Sequence, residues 1–409
     1  MRTVVIGAGL AGLTVAARLQ EQGAEVEVVA KGWGALHWHA GTIDVLGVYD
    51  KEMVDSPAAA VPRLIGDQPH HPYALAGADV LSDALAWLIT VTDDTIGLTG
   101  DLESNHVLIS GTGGPRPTCL APRSMLSGQY ADTAPTLIVG LDRFPDFASL
   151  LVASNINEGG GNARAVDVAV PGITDRTFLN GVTIAHALDD PTMMEAFIKT
   201  VRPYLGSEER VGFPAVLGLR RHRGAFEQLQ TELERPIFEI PIIPPSVPGM
   251  RIHQTLRARI GEHKVLSGRD VTGVELEGDR ITEIVSEAAG SSHRTPGDRF
   301  VLATGGILGG GIVAQQDGTL EEVVAGLPVT GPDSRFDWFH TDFTHGHPVY
   351  RSGVAVNGDF SVADGPSNMS VVGHTLGQAD TIREKSLEGV ALATAYRGAG
   401  LLTEEWVPS

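Results

Sequence analysis

Cysteine is nearly absent, Cys119 being the single one in 409 residues. A disulfide needs two thiols and a cysteine-held iron–sulfur cluster about four, so neither forms within this chain. The role left for Cys119 is that of a buried structural thiol. Lysine is scarce too, with only Lys31, Lys51, Lys199, Lys264 and Lys385, and 30 basic against 50 acidic residues leave a formal charge of −20. Nucleic acid, which needs a basic footprint, is excluded as a partner, as is direct electrostatic docking on anionic lipid. An acidic, lysine-poor surface fits a high-salt cytoplasm, a halophile, with an ordinary acidic mesophilic protein as the alternative. Long apolar runs are also missing. None approaches the ~18 residues of a membrane span, and the first strand begins at once, which leaves no place for a signal peptide. The expected location is cytoplasmic, or peripherally membrane-associated through partner subunits. At 42% hydrophobic the chain has ample material for a core, and 409 residues exceed the usual size of one, so two domains are expected.

What the chain does have begins at its first residues. Thr3-Val4-Val5-Ile6 runs into Gly7-Ala8-Gly9-Leu10-Ala11-Gly12, a helical stretch follows from Leu13 to Gln22, and a second apolar strand spans Val26 to Ala30. Strand, GxGxxG, helix and strand make a βαβ nucleotide-binding unit. Gly7 permits the tight turn, Gly9 lets backbone N–H groups approach a pyrophosphate, and Gly12 lets helix and strand pack closely. The acid that usually ends the second strand and binds the adenosine ribose is missing, since that place reads Val29-Ala30-Lys31. Lys31 can instead offer its charge to a phosphate, or be a solvated strand-end lysine.

A second informative region lies near residue 300. Helical Ile252 to Gly261 and Lys264-Val265-Leu266 precede two alternating strands, Val271 to Leu276 and Arg280 to Val285, joined at the turn Gly278-Asp279. The strand Arg299 to Ala303 then ends in Thr304-Gly305-Gly306. This order resembles the return leg of flavoproteins of the glutathione-reductase and fumarate-reductase type. The resemblance implies an α/β fold: a doubly wound, Rossmann-like flavin-binding domain, discontinuous over residues 1–65 and 250–409, with an inserted substrate or partner domain over 66–249. The inserted part carries Gly111 to Gly114, the strand Thr136 to Leu141, an amphipathic helix Pro191 to Tyr204 and the stiff, proline-rich Ile240 to Pro248, which returns the chain. Near the end, Ser367 to His374 and then Glu388 to Ala395 match the closing strand, glycine and helix of such flavoproteins, but His374 stands where they have an acid.

The resemblance becomes specific at Lys31-Gly32-Trp33-Gly34-Ala35-Leu36-His37-Trp38-His39-Ala40-Gly41-Thr42-Ile43-Asp44-Val45-Leu46-Gly47. This segment, with His71 to Leu75, Phe213 to Leu219, Ile240 to Gly249 and Gly373 to Ala395, resembles the B subunit of the anaerobic glycerol-3-phosphate dehydrogenases, a group within the fumarate-reductase-like flavoproteins. It implies a flavin-dependent oxidoreductase that takes sn-glycerol 3-phosphate to dihydroxyacetone phosphate and feeds a quinone or respiratory chain. It also implies two partners, the flavoprotein A subunit and the iron–sulfur, membrane-anchoring C subunit. FMN is the expected cofactor, because a lost ribose anchor at Ala30 and a lost acid at His374 each weaken the dinucleotide; FAD, favoured by the glycine loop, is the alternative.

Gly7, Gly9, Gly12, Lys31, Gly41, Thr42, Thr304, Gly305, Gly306, Gly373 and Gly389 are the candidate cofactor contacts. A base must take the substrate's hydroxyl proton, and histidine is suited to it. His37 and His39 follow the second strand and are the first candidates, with His374 and then His71 next; a His37–flavin bond is a further possibility. Phosphate favours arginine forks. Arg116, Arg123, Arg220, Arg221, Arg223 and Arg251 are available, the run Arg220 to Arg223 being the densest positive patch, with surface or partner contact as the alternative. His340, Asp342, His345 and His347 have metal-ligand types at loose spacing, and no metal is expected. Two further readings stay open: an electron-transfer or assembly subunit without substrate chemistry of its own, and a fumarate-reductase-like enzyme acting on another substrate.

Overall fold

In a computed structural model of the chain, residues 1–173, 179–207, 210–342 and 345–404 are described. The fold starts from β1 (Arg2–Ile6), whose β-branched run buries four of its five side chains. The helix α1 (Leu10–Glu21) follows with small residues at Gly12, Ala16 and Ala17 on its buried side, and β2 (Glu25–Ala30) lies parallel to β1. The strand Arg299–Leu302 lies parallel on the other side of β1, with Ile6 opposite Leu302. The complete sheet is parallel in the order Val265–Ser267, β2, β1, Arg299–Leu302, Met369–Val371. Gly7 and Ala303 therefore leave the same edge of one sheet, as the doubly wound expectation requires. The strand order reverses direction at β1, and an open parallel sheet binds ligands outside its carboxyl edge at such a point.

The chain divides into two compact units, one of Met1–Ala35, Asp44–Trp87 and Leu256–Ser409, the other of Leu36–Ile43 and Leu88–Thr255. Residues 66–87, expected in the inserted domain, group with the first unit. The reason is local: the helix Pro72–Ala76 packs on the closing helix Leu387–Glu404, and the Tyr73 hydroxyl donates to the Val45 carbonyl at 2.5 Å. Residues 36–43 go the other way, because Ile43 bridges to Leu120.

The first unit also holds an antiparallel sheet of Asp270–Glu277, Arg280–Ala288 and Ser291–Pro296. The sequence reading foresees the first two strands only. The third, Ser-Ser-His-Arg-Thr-Pro, looks like a loop by composition. It is brought back by Ala289 and Gly290, both at positive φ, as a two-residue hairpin turn requires.

The second unit is built on its own four-stranded parallel sheet, in the order Ala163–Val168, Thr136–Leu141, Arg210–Pro214, Ile237–Ile240. Thr136–Leu141 is buried along its whole length, which is why it reads as a continuous apolar run. The amphipathic helix runs over Pro191–Val201, capped by Asp190 accepting from the Thr192 and Met193 N–H groups, and tightens to a 3₁₀ turn at Arg202–Tyr204. Among the described residues no helix is long and apolar enough to cross a membrane. Cys119 is buried, its thiol donating to the Asp101 carbonyl at 3.0 Å.

Candidate functional site: the glycine-lined crevice of the first unit

The three glycines of the first loop do separate work. Gly7 has φ +116°, and a side chain there would collide with the Ala303 carbonyl on the neighbouring strand. A side chain on Gly12 would collide with the Gly7 carbonyl. Gly9 differs: the nearest atoms to a Cβ built on it are Gly34 Cα at 3.9 Å and the Trp33 carbonyl at 4.0 Å. Its face is open while its neighbours are closed by packing. Gly9 is also the N-cap of α1, which has no side-chain cap and no acid in its first turn. The first N–H groups of the helix are thus left for an external anion, and the helix dipole favours one.

Two further loops meet this one. The Gly305 N–H donates to Thr375 Oγ1 at 3.0 Å, and Thr304 Oγ1 lies 3.3 Å from the same hydroxyl. Gly306 has φ +59° and packs on the His374 carbonyl, while a side chain on Gly373 would come within 2.9 Å of Ala11 Cβ. The Gly373 N–H is held by Thr394 Oγ1 at 2.9 Å. Beside these loops is a small crevice whose lining includes Gly305, Ile307, Leu308, Tyr350, His374 and Thr381. His374 Nε2 donates to the Leu387 carbonyl at 2.8 Å. Burial lowers the His374 pKa to about 4, the Leu387 bond acting weakly the other way. The ring is therefore neutral near pH 7 with Nδ1 as its acceptor, able to receive a hydrogen bond but poor at taking a proton.

The other histidines divide by exposure. His37 is exposed at the end of a 3₁₀ turn, Gly34–His37, and its carbonyl accepts the Ser246 N–H at 2.8 Å. His39 is buried, and its Nδ1 accepts the Gly41 N–H at 2.9 Å. Gly41, at φ +84°, packs directly on Pro248, and the buried Thr42 hydroxyl accepts from Arg116 at 3.3 Å. His71 is a structural link: Nδ1 accepts the Tyr73 N–H at 3.1 Å, so Nε2 carries the proton that faces Glu384, 3.1 Å away. Burial raises the Glu384 pKa, but the hydrogen bond from His71 heads the effects that outweigh it, and the net shift is downward.

Several expected contacts have a different use. The side of Gly389 that a Cβ would occupy is filled by the Tyr73 hydroxyl and by residues 44 and 45, so packing requires this glycine. Lys31 is exposed and ion-paired with Asp270 at 2.6 Å. In the run Arg220 to Arg223, Asp189 accepts the N–H groups of Leu219, Arg220 and Arg221 at 2.9 to 3.0 Å, and Arg223 pairs with Glu227. An internal carboxylate thus takes the backbone donors of this run, and the Arg221 guanidinium is spent on the Asp189 carbonyl and Gln228. Arg251 is buried and doubly bonded to Glu239, at 2.7 and 2.9 Å; Arg123 pairs with Asp93. Glu239 also holds the Leu217 N–H and the Ser124 hydroxyl, so the Phe213 to Leu219 segment is fixed by this buried pair. The rings of His340 and His345 lie 5.9 Å apart and the His340 N–H donates to His347 Nδ1, but among the described residues no group of three His, Cys, Asp or Glu is placed to hold a metal ion.

Sequence reasoning misses Tyr350, Thr375 and Thr381. Thr375 and Thr381 fall inside the segment Gly373 to Ala395 that carries the resemblance, but no residue pattern within it marks them, and Tyr350 reaches the crevice from a separate stretch of chain.

Residues 2–370 match the FAD binding domain family. The chain is 31% identical to the B subunit of the anaerobic glycerol-3-phosphate dehydrogenase of Pectobacterium carotovorum, covering 98% of each chain. It belongs to that family. A protein of Halobacterium salinarum, named as the probable B subunit of an anaerobic glycerol-3-phosphate dehydrogenase, is 30% identical over 96% of this chain and 95% of its own. The family thus has a halophilic member, in keeping with the acidic composition. A flavocytochrome c3 fumarate reductase in its open conformation covers the whole chain and 78% of its own, at 10% identity and a TM-score of 0.44. Members of this B-subunit family are by name parts of a multi-subunit oxidoreductase. FMN as the first choice of cofactor is not supported: the matching family is one of FAD binding. The expectation counted two lost anchors and undervalued the loop, whose open Gly9 and uncapped helix suit a pyrophosphate.

Proposed function

We propose that this chain is the FAD-carrying subunit of a glycerol-3-phosphate dehydrogenase that oxidises sn-glycerol 3-phosphate to dihydroxyacetone phosphate. The observation that carries the reading is the likeness to named B subunits along nearly the whole chain, centred on an intact phosphate loop. Gly9 and the first turn of α1 would hold the pyrophosphate, and the loops of Gly305 and Gly373 would line the remainder. Bound there, FAD supplies a hydride acceptor for carbon 2 of the substrate. His374, neutral and fixed through Nε2, would accept the substrate hydroxyl at Nδ1 and orient it. His37, exposed at the end of its 3₁₀ turn, is the candidate for removing the hydroxyl proton, and His39 its buried support.

Electrons then leave through partners. Cys119 alone holds no cluster, so an iron–sulfur C subunit with a membrane anchor, next to a flavoprotein A subunit, would carry them to a quinone. A second reading, an electron-transfer subunit without substrate chemistry, is favoured by the lack of a ribose carboxylate at Ala30. Anaerobic addition of sn-glycerol 3-phosphate to the FAD-loaded chain, alone and with its co-purified partners, separates the two. Bleaching of the chain alone supports the enzyme; bleaching only when the A subunit is present supports the relay. A fully active single chain reducing quinone would remove the need for partners.

A further inference from the structure

A phosphomonoester carries close to two negative charges and is held by guanidinium groups with free donors. In the second unit most of the arginines singled out in the sequence have their guanidinium groups engaged, and Arg220 is tied through its backbone only. Arg251 faces Glu239, Arg223 faces Glu227 and Arg123 faces Asp93, and the Arg220 and Arg221 backbone is tied to Asp189. The first unit offers another pair, next to the crevice. The turn Pro348–Arg351 carries Tyr350 into its lining, and Thr381 enters the lining from the other side, two residues before Arg383. The strap before Tyr350 runs along Arg383: a Cβ on Gly346 would lie 3.2 Å from Arg383 Cδ and from its Nη1.

We propose that Arg383, with Arg351 beside it, is the phosphate subsite of a phosphomonoester substrate at the rim of the Tyr350, His374 and Thr381 crevice. The inference rests on the proposed function and names the part of the site that would select the phosphorylated substrate. The Arg383 guanidinium enters no hydrogen bond and no ion pair within 4.0 Å among the described residues. Two carboxylates stand beside the pair: the Arg351 and Arg383 charges both act on Asp380, and Glu384 lies 3.6 Å from Arg351 Nη2. Asp380 accepts the Arg383 backbone N–H as a helix cap at 3.3 Å, and burial raises its pKa; Glu384 is turned to His71 and Ser386. Arg351 is anchored by one arm, Nη1 donating to Gln68 at 2.7 Å, with Nη2 3.6 Å from Glu384, and its side chain stays 43% exposed. Arg351 Nη1 also reaches the Gln378 carbonyl at 3.4 Å, between the lining residues Gly377 and Ala379, and an anchored guanidinium beside one whose donors are unspent suits a dianion whose uncharged end reaches inward to His374.

The test uses the full chain loaded with FAD, as R383Q and R383K. Losing a charge-assisted hydrogen bond should raise the concentration of sn-glycerol 3-phosphate that half-saturates the rate of anaerobic bleaching roughly ten- to hundredfold in R383Q, with the limiting bleaching rate little changed and partial recovery in R383K. Slow bleaching by glycerol, which has no phosphate, should be the same in all three proteins. Inorganic phosphate, titrated by calorimetry, should bind wild type and fail to bind R383Q. An unchanged half-saturating concentration and unchanged phosphate affinity in R383Q overturn the proposal. Loss of FAD from R383Q overturns it too, by showing that the arginine serves the cofactor's phosphates. Should wild type not respond to glycerol 3-phosphate at all, the proposed function fails, and the phosphate titration alone decides the subsite.

Discussion

Gly7, Gly9 and Gly12 stand within one turn of chain and respond differently to a side chain. Gly9→Val should leave the fold intact, since nothing in the protein lies closer than 3.9 Å to the added Cβ, and should abolish FAD retention by filling the ligand's place. Gly7→Ala should destabilise the protein itself, because the Ala303 carbonyl cannot move without breaking the sheet. Thermal melting and flavin content of the two variants check this; full flavin in Gly9→Val would place the cofactor elsewhere. His374 gives a prediction in pH. Its folded pKa of about 4 lies below the unfolded value near 6.5, so between these values the unfolded chain holds a proton that the folded chain does not. Stability should therefore fall as pH drops from about 6.5 to 4, by up to about 3 kcal/mol from this residue. His374→Gln should flatten that slope in denaturant titrations at pH 4, 5 and 6.5; an unchanged slope would assign the loss to other groups, His222 with its own pKa of about 4 first among them.

At the scale of elements, the first βαβ unit and the return strand are legible because their signals are short-range: β-branched runs, glycines at a turn, a hairpin pair. The third hairpin strand is not, since Ser291–Pro296 has strand geometry imposed by its partner rather than by its own propensity. The arginine run fails as a sequence signal for a physical reason as well. The carboxylate that holds its backbone, Asp189, lies 31 residues before Arg220, and an Arg-rich stretch looks the same whether or not a carboxylate is folded onto it. Asp189→Ala should strand the Leu219, Arg220 and Arg221 N–H groups of the turn that leads into the helix His222–Leu233 and lower stability by about 1–2 kcal/mol with no change in flavin content. Glu239→Gln should cost more, about 3–5 kcal/mol, because it strands the buried Arg251 charge that fixes Gly218 and its neighbours. Equal small losses in urea melts of both variants would show that the buried pair is not what holds that segment.

Over the whole molecule the dominant quantity is charge: an excess of 20 carboxylates on 409 residues. Such an excess destabilises the compact state by self-repulsion, which is strong at low salt, where the screening length is about 10 Å at 0.1 M, and weak near 1 M, where it is about 3 Å. Salt also weakens favourable surface pairs such as Lys31 with Asp270 or Lys199 with Glu195, but each exposed pair contributes at most about 1 kcal/mol, while the buried Arg251 and Glu239 pair is screened little. Repulsion among the unpaired acids should decide the sign. The melting temperature is expected to rise by several degrees as KCl goes from 0.1 to 1 M. Most of the rise should come below 0.5 M, where screening changes fastest, and sucrose at matched osmolality should reproduce little of it. A melting temperature that stays flat or falls with KCl would mean that the surface ion pairs outweigh the repulsion, and would detach the acidic composition from any adaptation to salt.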